Sequence, residues 1–291
     1  MPTRSAAPLP ALSADADPDT IWSTLRASGA VRLRGAASTP AEFEARTEIF
    51  ATNFRVHQDP TRQKYSRDDT TQGVSGGEAA IGLHAERAYL PGRPSLLFFC
   101  CLTPPTSGGA TTLCDGAAVV EALSPESARR LDDMTLVWHT PQNPAMWQRL
   151  WNTTDPDEAG RAIDRMLERY GEQDVARHWF EGDVLHIDYR VPCLTTGAIG
   201  GRRSFANYLL LAEDEPSGPA ATQADGHPVP ADLMGYVRET ADALTLDIDW
   251  QRGDLVVIDN TRCMHGRRAF SGGERRILVR MGDVHPRFAS A

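Results

Sequence analysis

His84 and Glu86, two residues apart, and the distant His265 are the residues of this chain whose types and spacing could hold a metal ion. Residues i and i+2 of a β-strand point to the same side, so His84 and Glu86 could bind one ion together. Two imidazoles and one carboxylate on one face of a metal leave the other face open, as in non-haem Fe(II) sites that activate oxygen. Taken alone, the pair is more typical of a solvated strand end in a chain with 8 His and 39 Asp and Glu.

The sequence around His265 predicts a strand that delivers this side chain to a barrel. Residues 252–254 (Arg-Gly-Asp) form a turn signal. The short apolar run at 255–258 is typical of a buried strand. Residues 259–260 (Asp-Asn) can then turn the chain, which places His265 near the start of the next strand.

Downstream arginines and a threonine could bind an anion near the same metal. Arg276 and Arg280 are four residues apart, so they share one strand face. If that face is turned into the barrel, the guanidinium groups need anionic partners. Arg275 points the opposite way, and solvated arginines on an outer face are the alternative. We favour Arg276 as the inward residue because it shares a face with Arg280. Thr111, in a Gly-Gly-Ala-Thr sequence that could also be a simple turn, could supply a hydroxyl group.

These segments together resemble the TauD/TfdA-like family of Fe(II)- and 2-oxoglutarate-dependent dioxygenases, from about residue 81 to 283. The motifs that carry the resemblance are HAE at 84–86, GGAT at 108–111, WQRGDLVVIDN at 250–260, HGR at 265–267 and RRILVRM at 275–281. Residues 83–89 and 98–100 are most similar to the syringomycin-type hydroxylases. Glu86, where most members have Asp, is similar to clavaminate synthase and the arginine hydroxylases.

The resemblance implies a role for each motif residue. The residues expected to bind Fe(II) are His84, Glu86 and His265. Arg276, helped by Thr111, is expected to hold the distal carboxylate of 2-oxoglutarate. Arg280 is expected to contact an acidic group of the substrate, or else 2-oxoglutarate.

The implied reaction hydroxylates an aliphatic C–H bond of an amino acid or a derivative, free or attached to a carrier protein. O₂ is the oxidant, and 2-oxoglutarate is decarboxylated to succinate. Desaturation and cyclisation are variants, whereas halogenation is disfavoured because Glu86 fills the position that a halide needs. Two other classes are a non-catalytic cupin-like binding protein and a zinc hydrolase with the same ligands. The full set of ligands and arginines argues against the first, and the second has no need of Arg276.

The candidate metal ligands and arginines lie on predicted strands, and the predicted helices lie outside these segments. This favours a mainly β fold, the double-stranded β-helix or jelly-roll barrel of cupins. The predicted strands are 95–102, 135–139, 184–191 and 255–258; the predicted helices are 40–53, 117–131 with an interruption near Pro125, 157–170 and 231–244. We expect a flexible tail at 1–18, one domain over 19–291, and a polar loop at 66–78 that is a candidate lid.

Composition narrows the functional class. The net charge of −9 argues against a nucleic-acid partner. No apolar stretch is long enough to span a membrane, and residues 1–18 lack the apolar run of a signal peptide. The five cysteines have no framework spacing, so we expect reduced thiols in a cytoplasmic protein. Three further histidines, at 139, 178 and 186, have no partner at a metal-ligand spacing and are expected to be core or surface residues rather than ligands.

Overall fold

A computed structural model describes residues 6–57, 59, 62–214 and 218–289. Its strands are β1 (Ala11–Ser13), β2 (Ala30–Arg34), β3 (Ala51–Thr52), β4 (Gln72–Gly73), β5 (Ile81–His84), β6 (Leu96–Thr103), β7 (Thr111–Asp115), β8 (Thr135–Gln142), β9 (Ala176–Glu181), β10 (Val184–Pro192), β11 (Thr195–Thr196), β12 (Arg203–Ser204), β13 (Ala220–Gln223), β14 (Leu246–Ile248), β15 (Leu255–Asp259), β16 (Cys263–Arg267) and β17 (Arg276–Val284). Its α-helices are α1 (Pro18–Ser28), α2 (Pro40–Glu48), α3 (Gly116–Ala122), α4 (Pro125–Asp132), α5 (Pro144–Trp151), α6 (Pro156–Tyr170), α7 (Leu209–Asp214) and α8 (Ala231–Ala243), and a 3₁₀ turn covers Pro286–Phe288.

Two sheets form the jelly-roll core, which confirms the predicted fold class. The larger has the order β1-β2-β15-β6-β17-β3, with β4 also paired to β17, and the smaller has the order β14-β7-β16-β5. Every residue of β15 is buried. Leu255 and Val257 pack outward against helices α1 and α2, whereas Val256 and Ile258 pack between the two sheets. Both faces of this strand are covered, so its sequence is a continuous apolar run without alternation.

A third sheet is inserted between the two halves of the barrel sequence. It has the order β13-β8-β10-β9, and α5 and α6 contact its strands. Its buried side chains, among them Trp138, Leu136 and Ile187, belong to one cluster that also includes residues of the smaller barrel sheet: Leu83 on β5, Cys114 on β7 and Met264 on β16. This insertion supplies the helices that lie beside the predicted site without contributing to the barrel itself.

Helix α2 shows why a boundary predicted from sequence was wrong. Its start is as predicted: Thr39 Oγ1 accepts a hydrogen bond from the Glu42 N–H at 3.2 Å, and Pro40 occupies the first turn. The helix ends at Glu48 instead of Asn53, because Ala51 and Thr52 leave it to pair with β17. Tertiary strand pairing therefore outweighs the local helical pattern at 49–53.

Other predicted elements are mostly present, and one prediction fails at the N-terminus. Residues 11–13, assigned to a flexible tail, form β1 and pair in parallel with β2, so the tail prediction is wrong there. Residues 1–5 lie outside the described residues, and the single-domain assignment stays a prediction. All five cysteines are buried and free. No helix within the described ranges has the length and apolar character needed to cross a membrane.

Candidate metal centre

The three predicted ligands meet at one point on the smaller sheet. His265 on β16 lies directly opposite His84 on β5, and their ring centroids are 4.3 Å apart. Glu86 follows β5, and one donor atom from each of the three residues lies within 4.8 Å of the others. All three side chains are buried. Among the residues that the structure describes, this is the one such group of metal-binding side chains.

Two neighbouring residues explain how the fold brings the ligands together. A Cβ atom on Gly266 would lie 2.5 Å from the Ile81 carbonyl oxygen and 2.8 Å from Thr112 Oγ1, so only glycine fits between β5 and β7. The Asn260 side chain accepts a hydrogen bond from the Glu86 N–H at 2.8 Å and donates to the Glu86 carbonyl at 2.9 Å. The motif residues around the ligands therefore fix backbone positions.

The electrostatics of the site favour the protonation states that metal ligands require. Burial opposes ionisation of Glu86, but His57, Arg62 and His84 outweigh it and hold the Glu86 pKa well below its usual range. Burial, with help from His84, holds the pKa of His265 well below its usual value. The result is an ionised carboxylate beside a neutral imidazole.

The donor set fits Fe(II). His84 Nδ1 lies 2.9 Å from the Gly82 carbonyl oxygen, and a hydrogen on that nitrogen leaves the Nε2 lone pair for a metal. His265 Nδ1 is buried without a hydrogen-bond partner in the described part of the chain. Two imidazoles and one carboxylate form the facial set expected for non-haem iron.

Arg275, and not Arg276, reaches the cavity above the ligands. Arg275 donates from Nε to the Gly109 carbonyl at 2.9 Å and from Nη2 to Thr111 Oγ1 at 3.2 Å. It forms no ion pair with any described residue, and burial, together with nearby Arg267, lowers its pKa to about 10. Arg276 is exposed and pairs with Glu274 at 2.5 Å.

The preference for Arg276 was wrong because the shared face points away from the cavity. Ile277 and Val279 pack between the sheets, and Val279 lines the cavity. Leu278 packs in the outer cluster beneath the helices, on the face that Arg280 shares. The alternation along β17 was therefore read correctly, but the inner and outer faces were exchanged.

Arg280 is buried outside the cavity, which contradicts its predicted role there. It donates to Thr47 Oγ1 at 2.7 Å and to Thr70 Oγ1 at 3.2 Å. Its guanidinium carbon lies 3.7 Å from the centre of the Phe54 ring, and Glu48 is 3.4 Å away. Arg280 therefore fastens α2 and the 66–70 loop to the barrel.

Thr111 lies in the cavity, as predicted. Its hydroxyl oxygen accepts hydrogen bonds from Trp250 Nε1 at 2.9 Å and from Arg275. With its oxygen so occupied, the hydroxyl hydrogen is free to be donated to a ligand. The role of Trp250 was missed, although it opens the motif at 250–260.

The cavity has a volume of about 400 Å³ and contains residues that sequence reasoning did not find. His57 Nε2 lies 3.4 Å from Glu86 Oε1. Arg62 donates to Ser75 Oγ at 3.1 Å, but its Nε and Nη1 are buried without a partner among the described residues. Neither residue belongs to a motif or a regular element, so no sequence signal marked them.

Part of the predicted lid lines the cavity. Residues 74–76 form one wall. Arg267 donates to the Ser75 and Ala79 carbonyl oxygens at 2.7 Å each. The end of the candidate lid is therefore tied to β16, next to the metal ligands.

Comparison with known proteins assigns the chain to a family that agrees with the geometry of the site. The model of the taurine catabolism dioxygenase TauD, TfdA family matches residues 3–281. A clavaminate synthase-like protein of Arabidopsis thaliana is 28% identical, with 96% of this chain and 91% of that protein covered. The dapdiamide synthesis protein DdaC of Enterobacter agglomerans is 23% identical, with 90% and 84% covered.

Solved structures show the same fold. A taurine dioxygenase from Burkholderia xenovorans superposes with a TM-score of 0.62 at 17% identity, covering 97% of this chain and 88% of that one. PvcB from Pseudomonas aeruginosa gives a TM-score of 0.55 at 16% identity, covering 94% and 86%. The ligand set agrees with a family that uses Fe(II) and 2-oxoglutarate. The chain belongs to the TauD/TfdA family and is an Fe(II)- and 2-oxoglutarate-dependent dioxygenase.

Proposed function

We propose that this dioxygenase hydroxylates an aliphatic C–H bond of an amino acid or an amino-acid derivative, free or attached to a carrier protein, with Arg275 as the anchor for 2-oxoglutarate. The observation that carries the proposal is a half-buried guanidinium with no carboxylate partner among the described residues, in the same cavity as the three metal ligands. An unpaired charge that is partly removed from water is stabilised by an anion, so an anionic ligand would complete the site.

The donors around Arg275 suit a carboxylate. The Gly109 carbonyl and Thr111 hold the guanidinium in place, and the Thr111 hydroxyl hydrogen remains available. The left-handed backbone of Gly109 (φ +65°) lets the loop pass Phe270 and Arg275, where a Cβ would lie 3.1 Å and 3.2 Å from their side-chain atoms. The Gly-Gly-Ala-Thr sequence thus builds the support for the anchor.

The position of Arg62 in the cavity favours a substrate with an acidic group. It reaches the cavity from the chain before the metal ligands, and two of its nitrogens are buried without a partner in the described structure. The α-carboxylate of an amino acid bound in the cavity would complement the positive charge of Arg62. Two relatives have names that refer to biosynthesis: DdaC is a dapdiamide synthesis protein, and PvcB is an Fe, α-ketoglutarate-dependent oxygenase from an isonitrile synthetic pathway.

In this mechanism each residue has a limited task. The residues that would hold the iron are His84, Glu86 and His265. When bound, Fe(II) supplies the activation of O₂ that is coupled to decarboxylation of 2-oxoglutarate to succinate. Arg275 and Thr111 orient the cosubstrate, and Arg62 orients the substrate. Residues 74–76 and Tyr208 line the same cavity and would shield the reacting atoms from water.

The test replaces the ligands one at a time. His84→Ala and His265→Ala are expected to abolish stoichiometric Fe(II) binding and succinate formation, while the thermal transition stays cooperative. His227→Ala is the control, because His227 is exposed and lies outside the cavity. Full succinate formation by either ligand variant contradicts the assignment. Absence of 2-oxoglutarate binding by the wild type would instead favour a zinc hydrolase.

A further inference from the structure

A second and larger cavity adjoins the iron cavity. Its volume is about 970 Å³, and it lies between residues 53–56 and 64–69 on one side and the inserted helices α5 and α6 on the other. Consecutive residues divide the two cavities: Glu86 lines the iron cavity and Arg87 lines the larger one. Likewise, Arg55 lines the larger cavity and His57, two residues later, lines the iron cavity. One backbone layer therefore separates the two spaces.

This second cavity is strongly basic in a chain whose net charge is −9. Two of its cations are compensated, since Lys64 pairs with Asp69 and Arg55 pairs with Asp283. Five more cations line it without an ion pair to any described residue: Arg67, Arg87, Arg149, Arg165 and Arg169. The remaining carboxylate in its wall, Asp68, accepts hydrogen bonds from Ser66 and Thr70.

Arg87 is the clearest sign that a ligand is needed. Its exposed fraction is 8%, and its Nε is buried without a hydrogen-bond partner among the described residues. Its backbone is left-handed (φ 55°), a conformation that costs a non-glycine residue free energy. A buried cation in a strained position, with no protein partner described, would be stabilised by an anion.

The inserted helices add further polar residues to the cavity wall. Arg149 Nε and Nη2 and Trp151 Nε1 are buried without partners in the described part of the molecule. Both residues come from α5 and line the cavity. Arg165 and Arg169 are four residues apart on α6, so they share one face of that helix. Donors from three separate segments thus converge on one volume.

We propose that this cavity binds a phosphate-bearing ligand. Several guanidinium groups around one space suit a phosphate, which carries up to two charges and accepts paired hydrogen bonds from arginine. The site is distinct from the Arg275 pocket for 2-oxoglutarate, which has one anchoring arginine and lies on the other side of the Glu86–Arg87 backbone. A ligand held here sits one backbone layer from the metal ligands.

The test measures phosphate binding by calorimetry on the full chain loaded with Fe(II) and 2-oxoglutarate without oxygen. Inorganic phosphate and glycerol 3-phosphate are the probes, so that free phosphate and a phosphate ester are distinguished. We expect saturable one-to-one binding of at least one probe. Arg149→Ala and Arg165→Ala should each weaken it roughly tenfold. Arg161→Ala is the matched control, because Arg161 lies on α6 but does not line the cavity.

The other outcomes overturn the proposal. Failure of both probes to saturate would do so. Equal weakening in Arg161→Ala would show that binding follows overall charge and not this cavity. Loss of probe binding in Arg275→Ala, with no loss in Arg149→Ala and Arg165→Ala, would place the phosphate in the 2-oxoglutarate pocket. The affinity for 2-oxoglutarate, measured on the same samples, should be unchanged in Arg149→Ala and Arg165→Ala, which separates this test from the proposed reaction.

Discussion

Two arginines near opposite ends of the smaller sheet, the buried Arg262 and the half-buried Arg275, differ in the groups that accept their hydrogen bonds. Arg262 donates to both oxygens of Asp115, at 2.9 Å and 2.6 Å, and to the Ala27 carbonyl at 3.1 Å. Arg275 donates only to neutral acceptors, the Gly109 carbonyl and Thr111. The first is a structural residue whose charge the fold compensates. The charge of the second has no carboxylate partner among the described residues, and we propose that a ligand supplies one. This difference distinguishes the proposed binding region from the supporting region.

The largest effect on stability is expected in the supporting region. Asp115→Ala would leave the Arg262 guanidinium buried and unpaired and would also remove a cap from α3. Breaking a buried pair from one side costs about 3–5 kcal/mol. Urea denaturation should show that loss in the free energy of unfolding. A change below about 1 kcal/mol would mean that this pair is not compensating charge as described.

A smaller, pH-dependent effect is expected at Asp259. Burial raises its pKa to about 6, and its Oδ2 has no partner among the described residues. Because the folded pKa lies above the unfolded value of about 3.9, the protonated group adds stability below pH 4, and this is lost as pH rises through 6. The free energy of unfolding of Asp259→Asn, relative to that of the wild type, should therefore rise by about 3 kcal/mol from pH 4 to pH 8. Parallel stability curves for the two proteins would refute the assignment.

The smallest effect is expected at Trp250, which holds Thr111 beside Arg275. Trp250→Phe removes the hydrogen bond to Thr111 while keeping an aromatic ring. One neutral hydrogen bond contributes about 1 kcal/mol, so the affinity for 2-oxoglutarate should fall about fivefold. Equilibrium titration of the Fe(II)-loaded protein checks this. An unchanged affinity would show that Thr111 does not depend on Trp250 for its orientation.

The difference between the two regions also explains what the sequence could predict. Short-range spacing predicted that His84 and Glu86 act together, and the structure places them beside His265, although Glu86 lies just past the end of β5. Gly266 permits the close pairing of β5 with β16. Strand alternation predicted that Arg275 and Arg276 point opposite ways. It could not say which face is inner, since α2 covers the face of Arg280.

Other parts of the site depend on contacts that leave no local pattern. His57 and Arg62 line the cavity although neither lies in a helix or a strand. The basic cavity needs the inserted helices α5 and α6 to lie against the barrel. Such sites are set by long-range packing, so a single sequence gives no sign of them.

The central claim is that Arg275 is the arginine that the fold leaves for 2-oxoglutarate. The most direct measurement compares 2-oxoglutarate affinity in Arg275→Ala and Arg276→Ala, two adjacent variants with the same change in net charge. Removing one partner of a buried charge pair costs about 2–5 kcal/mol, so Arg275→Ala should weaken binding by roughly 30-fold or more. Arg276→Ala should bind like the wild type, because its side chain is exposed and pairs with Glu274. Equal affinities in the two variants, or a larger loss in Arg276→Ala, would contradict the account.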